Sequence, residues 1–103
     1  MAKTPERKVK DRVVAVLKER GAYYFYPVTS GFGASGVPDI VACYEGVFIG
    51  IECKAGSNKP TKLQERNLKQ ISDAGGYALV INEKNVDMVS ATINLIDLGD
   101  QHG

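Results

Sequence analysis

Apolar residues recur at Val9, Val13, Val16 and Leu17 with charged residues between them, the spacing of a helix with one apolar stripe. Thr4 is placed to cap such a helix, Pro5 suits its first turn and Gly21 suits the left-handed residue that ends it. A helix is therefore predicted over 5–20, and then the period changes. Residues 22–28 (AYYFYPV) are aromatic and β-branched and read as a strand that stops near Pro27. GVPDIVACY and VFIGIECKA are two further strands joined at Glu45-Gly46, a short acid–glycine hairpin signal. After a loop at 57–60 (SNKP), Leu63, Leu68 and Ile71 share one face of a second predicted helix over 62–74, ended by Gly75-Gly76. YALVIN (77–82) is short and apolar, as expected for a buried place in a sheet. NVDMVSATINLI (85–96) predicts a weaker last helix, and residues from about 98 to 103 read as a disordered tail. The order α-β-β-β-α-β-α makes an α/β fold, a small mixed sheet flanked by helices, in one domain over 1–103.

Composition changes little in that picture. With 44% hydrophobic and 24% charged residues the chain reads as soluble and globular. No apolar stretch approaches the roughly 18–20 residues of a membrane span, and the charged N-terminus lacks the apolar core of a secretory signal. A cytoplasmic protein without membrane contact is expected. Cys43 and Cys53 each lie inside an apolar run and are expected to be free, buried thiols, wider apart than metal-binding pairs. The one histidine, His102, lies near the C-terminus, so no zinc site of nitrogen and sulfur ligands is expected.

Charge adds more. The net value of +1 conceals +4 over residues 1–20, −3 over 21–53, +4 over 54–69 and −4 over the remainder. Between the two basic segments the only charges are Asp39, Glu45 and Glu52. Two readings fit: solvated helix faces, or flanks that hold a polyanion while a cation sits on the carboxylates.

Gly31-Phe32-Gly33-Ala34-Ser35-Gly36 matches G-x-G-x-x-G, the pattern of a dinucleotide-binding turn. That turn must lead into a helix whose N-terminus meets the pyrophosphate. Here Val37-Pro38 disfavours helix at residue 37 and a strand follows, so no nucleotide cofactor is expected. No Gly-Lys-Ser/Thr follows either, which excludes a P-loop. The glycines instead lead into Asp39. Asp39 and Glu52 lie equal steps from the Glu45-Gly46 turn, a register that sets them across from one another at about 4.5–5.5 Å between Cβ atoms. Two carboxylates so close repel unless a cation lies between them, and hard divalent ions prefer oxygen ligands. Alternation puts Glu52 and Lys54 on one face and Ile49, Ile51 and Cys53 on the other, toward the core. A polar strand face with an incidental Glu–Lys pair explains the same residues; metal-assisted phosphodiester hydrolysis uses all of them.

Val37-Pro38-Asp39 followed by Ile51-Glu52-Cys53-Lys54 resembles the P-D … E-x-K motif of the PD-(D/E)XK nuclease superfamily. Glu6 in the first helix, SGFGASGVPDIV and IECKAGSNKPTKLQ ending in Gln64 resemble its VRR-NUC branch, over about residues 6–82. The resemblance implies a restriction-endonuclease-like core in which Asp39, Glu52 and the backbone carbonyl of Cys53 bind Mg²⁺ or Mn²⁺. It implies that Lys54 positions or activates the attacking water and that Gln64 adjoins the site. Glu6 matches an acid such nucleases bring from the first helix to the metal, directly or through a water. Thr61-Lys62-Leu63-Gln64 is also a capping box, and Glu6 also complements a helix dipole, so both residues keep two readings. Lys8, Lys10 and Arg12 on the first helix and Lys59, Lys62, Arg66 and Lys69 near the second are placed to grip phosphates, with Ser30 and Ser35 as further contacts. Of the aromatic run Tyr23–Tyr26, alternation sends one pair to the core and frees the other to stack on a base or to bury in a dimer interface. Stand-alone members of the branch look like Holliday-junction resolvases in fold, which act as dimers. The expected function is metal-dependent endonucleolytic cleavage of DNA, selective for branched structures, by a homodimer. A sequence-specific restriction-type nuclease and a non-catalytic DNA-binding module on the same fold are the rivals.

Overall fold

Seven elements follow in the predicted order: α1 (Pro5–Arg20), β1 (Tyr23–Phe25), β2 (Ile40–Tyr44), β3 (Val47–Cys53), α2 (Lys62–Asp73), β4 (Tyr77–Ile81) and α3 (Asp87–Asp97). The computed structural model describes residues 2–28 and 36–99. Ser30, Ser35 and most of the glycine run lie outside the described residues, as do 100–103. Of the expected disordered tail, Leu98 and Gly99 are described, and their N–H groups close the end of α3 onto the carbonyls of Asn94, Leu95 and Ile96.

The sheet runs in sequence order, β1-β2-β3-β4, with the first two pairings antiparallel and β3–β4 parallel. Positive φ at Glu45 (51°) and Gly46 (79°) makes the primed turn that suits the twist of a hairpin. One sheet face carries Ile40, Ala42, Ile49, Ile51, Cys53, Leu79 and Ile81. With Val9, Val13, Val14 and Leu17 of α1 and Val86, Val89, Ile93 and Ile96 they form the core. Val16, placed on the stripe by its spacing, is only partly buried, and Val14 takes the inner position. At the hairpin end of the sheet α1, β2 and α3 are tied together by Asp97, which accepts from the Tyr44 hydroxyl at 2.7 Å and from Arg20 at 3.1 Å. The hydrogen bond to Asp97 holds the proton on the Tyr44 phenol and, with partial desolvation and the carboxylate's charge, pushes it above its ordinary pKa.

Among the described residues the other face is covered by α2, which buries none of its residues fully; Leu63 is half exposed. The helix approaches closely because Gly50 lies beneath it: a Cβ there would meet the Ile71 side chain at 2.6 Å. Beside α2 the face is open, with Tyr23, Phe25, Cys43 and Phe48 exposed. Two expectations are corrected here. Cys43 is exposed because it lies on this uncovered face, and only Cys53 is buried. Of the four aromatics only Tyr24 packs against the core, since β1 is a three-residue edge strand that no helix covers fully.

β4 is a third correction. Its apolar sequence suggested an interior strand, yet it is an edge, and Val80 is exposed. The Ile81 carbonyl accepts from the Lys54 N–H, so alternation turns the polar groups of Val80 and Asn82 outward. Asn85 meets them there. Its side chain accepts from the Asn82 N–H at 2.7 Å and donates to the Val80 carbonyl at 3.1 Å, as a neighbouring strand would. Such plugs keep exposed edges from pairing with other chains. Asn85→Ala is expected to cost about 1–2 kcal/mol in denaturant unfolding for the two lost bonds, and to raise self-association in light scattering.

Candidate active site

The carboxyl ends of β3 and β4 and the N-termini of α1 and α2 converge at the end of the sheet opposite the hairpin turn. Both helices are capped by threonine, Thr4 accepting from the Arg7 N–H and Thr61 from the Gln64 N–H. Their positive ends thus face one region.

Asp39 stands just ahead of β2, set by buried Pro38. The last residue of the glycine run explains its approach. Gly36 has φ +79°, and a Cβ there would meet the Leu63 backbone at 2.8 Å, so this connection presses against the first turn of α2. Asp39 Oδ2 accepts the Cys53 N–H at 2.8 Å. The β2–β3 ladder pairs Ile40 with Ile51 and Val41 with Gly50, which continues outward to Asp39 beside Glu52, as the hairpin spacing predicts.

Glu52 is 1% exposed, unusual for a carboxylate. Its Oε2 accepts from Gln64 Nε2 at 2.8 Å and lies 3.4 Å from Lys54 Nζ. Its Oε1 is buried with no hydrogen-bond partner. Burial, followed by the negative charge of Asp39, raises the Glu52 pKa to about 7, against the opposing pull of Lys54. Burial and Asp39 together push the Cys53 thiol up to about 12, so it is an inert core group. Lys54 is held by its N–H to the Ile81 carbonyl at 2.9 Å, and its side chain is only 15% exposed.

Gln64 resolves its two readings by doing both. Its Oε1 accepts the Thr61 N–H at 2.8 Å, completing the capping box, while its Nε2 reaches Glu52. Glu6 lies in the first turn of α1, close enough for its charge to add to the field at Glu52 and Cys53. Among the described residues no three His, Cys, Asp or Glu side chains gather as a metal cluster. The oxygen donors brought together are therefore the carboxylates of Asp39 and Glu52 and the nearby backbone. An orphaned buried carboxylate oxygen beside a second carboxylate fits a hard divalent cation, which would supply the missing partner.

The basic residues divide by their partners. Arg12 donates to the Glu83 carbonyl at 3.1 Å, and Lys69 pairs with Asp73 at 2.8 Å. Lys10 stands over the Tyr26 ring, 5.8 Å from its centroid. Lys8, Lys59, Lys62 and Arg66 are exposed and make no ion pair among the described residues. Sequence reasoning missed Glu83. Both its carboxylate oxygens accept the Gly56 N–H at 3.0 Å, tying the loop after Lys54 to the end of β4. These bonds, with its own backbone N–H, hold the Glu83 carboxyl below its usual range. No local pattern announces a partner 27 residues away.

With this geometry in hand, the chain was compared with known proteins. The profile of the family described as archaeal Holliday junction resolvase (Hjc) matches residues 3–97. The chain belongs to this family. A relative, "Putative nuclease p44" of Acyrthosiphon pisum secondary endosymbiont phage 1, is 28% identical over 90 residues, covering 86% of this chain and 95% of its own. A solved VRR_NUC domain superposes with a TM-score of 0.73 at 22% identity, covering 86% of this chain and 97% of that one. A second VRR_NUC domain protein gives 0.59 at 18% identity, over 95% and 89%. The Hjc-family chain is thus a nuclease of the Hjc/VRR-NUC type on a PD-(D/E)XK fold. Among its described residues no helix is long and apolar enough to cross a membrane.

Proposed function

We propose that the protein is a Mg²⁺- or Mn²⁺-dependent DNA endonuclease, selective for branched structure, that acts as a homodimer. The observation that carries the reading is the buried Glu52 carboxylate, with one oxygen unpartnered, held beside Asp39, Lys54 and Gln64. Asp39, Glu52 and the Cys53 carbonyl would hold the cation, which supplies Lewis acidity toward a phosphoryl oxygen. The role of Gln64 is to fix the Glu52 carboxylate from the helix side. From the strand, the Lys54 ammonium orients the attacking water and offsets charge that develops on the phosphate. Glu6 adds negative charge at the rim. Lys8, Lys10, Lys59, Lys62 and Arg66 contact DNA phosphates, and affinity should therefore fall steeply with salt.

The dimer is supported by the open sheet face. Tyr23, Phe25 and Phe48 are exposed beside a helix that buries nothing fully, and a second copy laid on this face would cover them. Incubation with supercoiled plasmid, plain duplex and a four-way junction, each with Mg²⁺, Mn²⁺ or EDTA, tests the function. Metal-dependent cutting that favours the junction is expected. Binding without cutting would favour a non-catalytic module, and a fixed cut sequence on plain duplex a restriction-type enzyme. A sedimentation mass of one chain would refute the dimer.

A further inference from the structure

A cleft of about 530 Å³ opens beside the carboxylates, between the first turns of α1 (Pro5, Glu6, Lys10) and the loop after β3 (Ala55, Asn58). Its volume lies within the about 300–1,000 Å³ of pockets that take small molecules. None of Asp39, Glu52, Lys54 or Gln64 lines it. It is nevertheless contiguous with them, because Ala55 follows Lys54 directly and the charge of Glu6 is felt at Glu52. A strand with one phosphate at Lys54 therefore has its neighbouring nucleotide at this cleft.

The walls suit that occupant. The Pro5 ring and the Ala55 methyl offer apolar surface to a base, and the Asn58 carboxamide offers both a donor and an acceptor to its edge. Lys10 makes no ion pair among the described residues; the Tyr26 ring is what its ammonium meets. Its neighbours Lys3 and Arg7 instead share one carboxylate, that of Asp11. The cation at the cleft is thus available to a phosphate.

The cleft is also braced on both sides. Glu83 grips the Gly56 N–H with two oxygens while its carbonyl accepts from Arg12 of α1, and the Asn58 N–H closes a turn onto the Ala55 carbonyl at 3.1 Å. A base that turns into this braced cleft must leave its stack. A nucleotide already unpaired enters without the unstacking cost of a few kcal/mol that a paired one carries.

We propose that this cleft is a subsite for one unpaired nucleotide next to the scissile phosphate, with Lys10 on its phosphate and Asn58 on its base edge. The proposal rests on the nuclease reading and adds to it a preference for DNA with an unpaired nucleotide beside the cut. The probe is a duplex oligonucleotide with a single bulged 2-aminopurine beside the cut position, alongside its fully paired counterpart. In EDTA the fluorescence of the bulged probe is expected to change on binding the unaltered protein. Asn58→Phe, which narrows the cleft and removes the base-edge donor and acceptor, is expected to reduce that change and to lower the ratio of bulged to paired cleavage by about tenfold, the worth of one base contact. Lys10→Gln, which leaves the cleft open, is expected to weaken binding of the bulged probe and to reduce the salt slope by about one. An unaltered fluorescence response and an unaltered cleavage ratio in Asn58→Phe, with melting showing a folded protein, would overturn the subsite. The fluorescence readout needs no turnover. A protein that gives the expected response yet cuts no DNA with either metal sustains the subsite and sinks the nuclease reading instead.

Discussion

Lys54→Ala is expected to lower the rate of metal-dependent DNA cleavage by about 10²–10⁴-fold, the range for losing a positioned proton-transfer or charge-stabilising group. The ammonium lies 3.4 Å from Glu52 in a side chain only 15% exposed, so solvent screens it little. Its removal deprives the attacking water of an orienting donor and the phosphate of a counter-charge. Loss of that counter-charge also raises the pH at which Glu52 ionises, so the residual activity should need a higher pH. Lys54→Arg keeps the charge but not the compact ammonium, and is expected to recover only part of the rate. Single-turnover cleavage of a junction, with melting curves to confirm folding, checks both variants. A Lys54→Ala protein that cuts at the parent rate would remove Lys54 from the chemistry.

Glu52→Gln is expected to do two opposite things: abolish cleavage and stabilise the metal-free protein at neutral and alkaline pH. The Glu52 carboxyl has a pKa of about 7 in the fold against an ordinary 4.5. Between those values the folded chain keeps a proton that the unfolded chain has lost. Stability therefore falls as pH rises from about 4.5 to about 7 and is level above that window. At 1.36 kcal/mol per pH unit the loss is on the order of 3 kcal/mol. Glutamine carries no charge to bury, and its carbonyl still accepts from Gln64, so the variant should escape most of this loss. A melting temperature in EDTA at pH 8 that is higher for Glu52→Gln by roughly 10 °C is the expected reading for a domain of this size. Mg²⁺ or Mn²⁺ should raise the melting temperature of the parent and leave the variant unmoved. A variant that melts below its parent at pH 8, or a parent indifferent to pH between 5 and 7, would count against Glu52 being held protonated by burial.

The row of candidate site residues was legible because its logic is local. Strand alternation and one hairpin turn suffice to put Asp39 beside Glu52 and to send Cys53 to the core. The capping box likewise announced Gln64, although only the fold brings Glu52 to the other end of the amide that serves Thr61. What stayed illegible depends on what covers a surface. An apolar run such as YALVI reads alike at an edge and in an interior, and the plug that lets β4 be an edge, Asn85, lies beyond the strand. Cys43 and Tyr23 look like core by composition and are exposed because no element of the described chain lies over them. Arg12 was read as a phosphate contact by its charge alone, while its partner, the Glu83 carbonyl, is 71 residues away.

The knot of Tyr44, Asp97 and Arg20 fastens the fold at the end farthest from Glu52. Tolerance to change is therefore divided along the molecule. An engineer seeking a hardier protein can reinforce the hairpin end, through Asp97 and its neighbours, without disturbing the proposed metal ligands. Stabilising the other end means removing the buried charge that the proposed reaction requires.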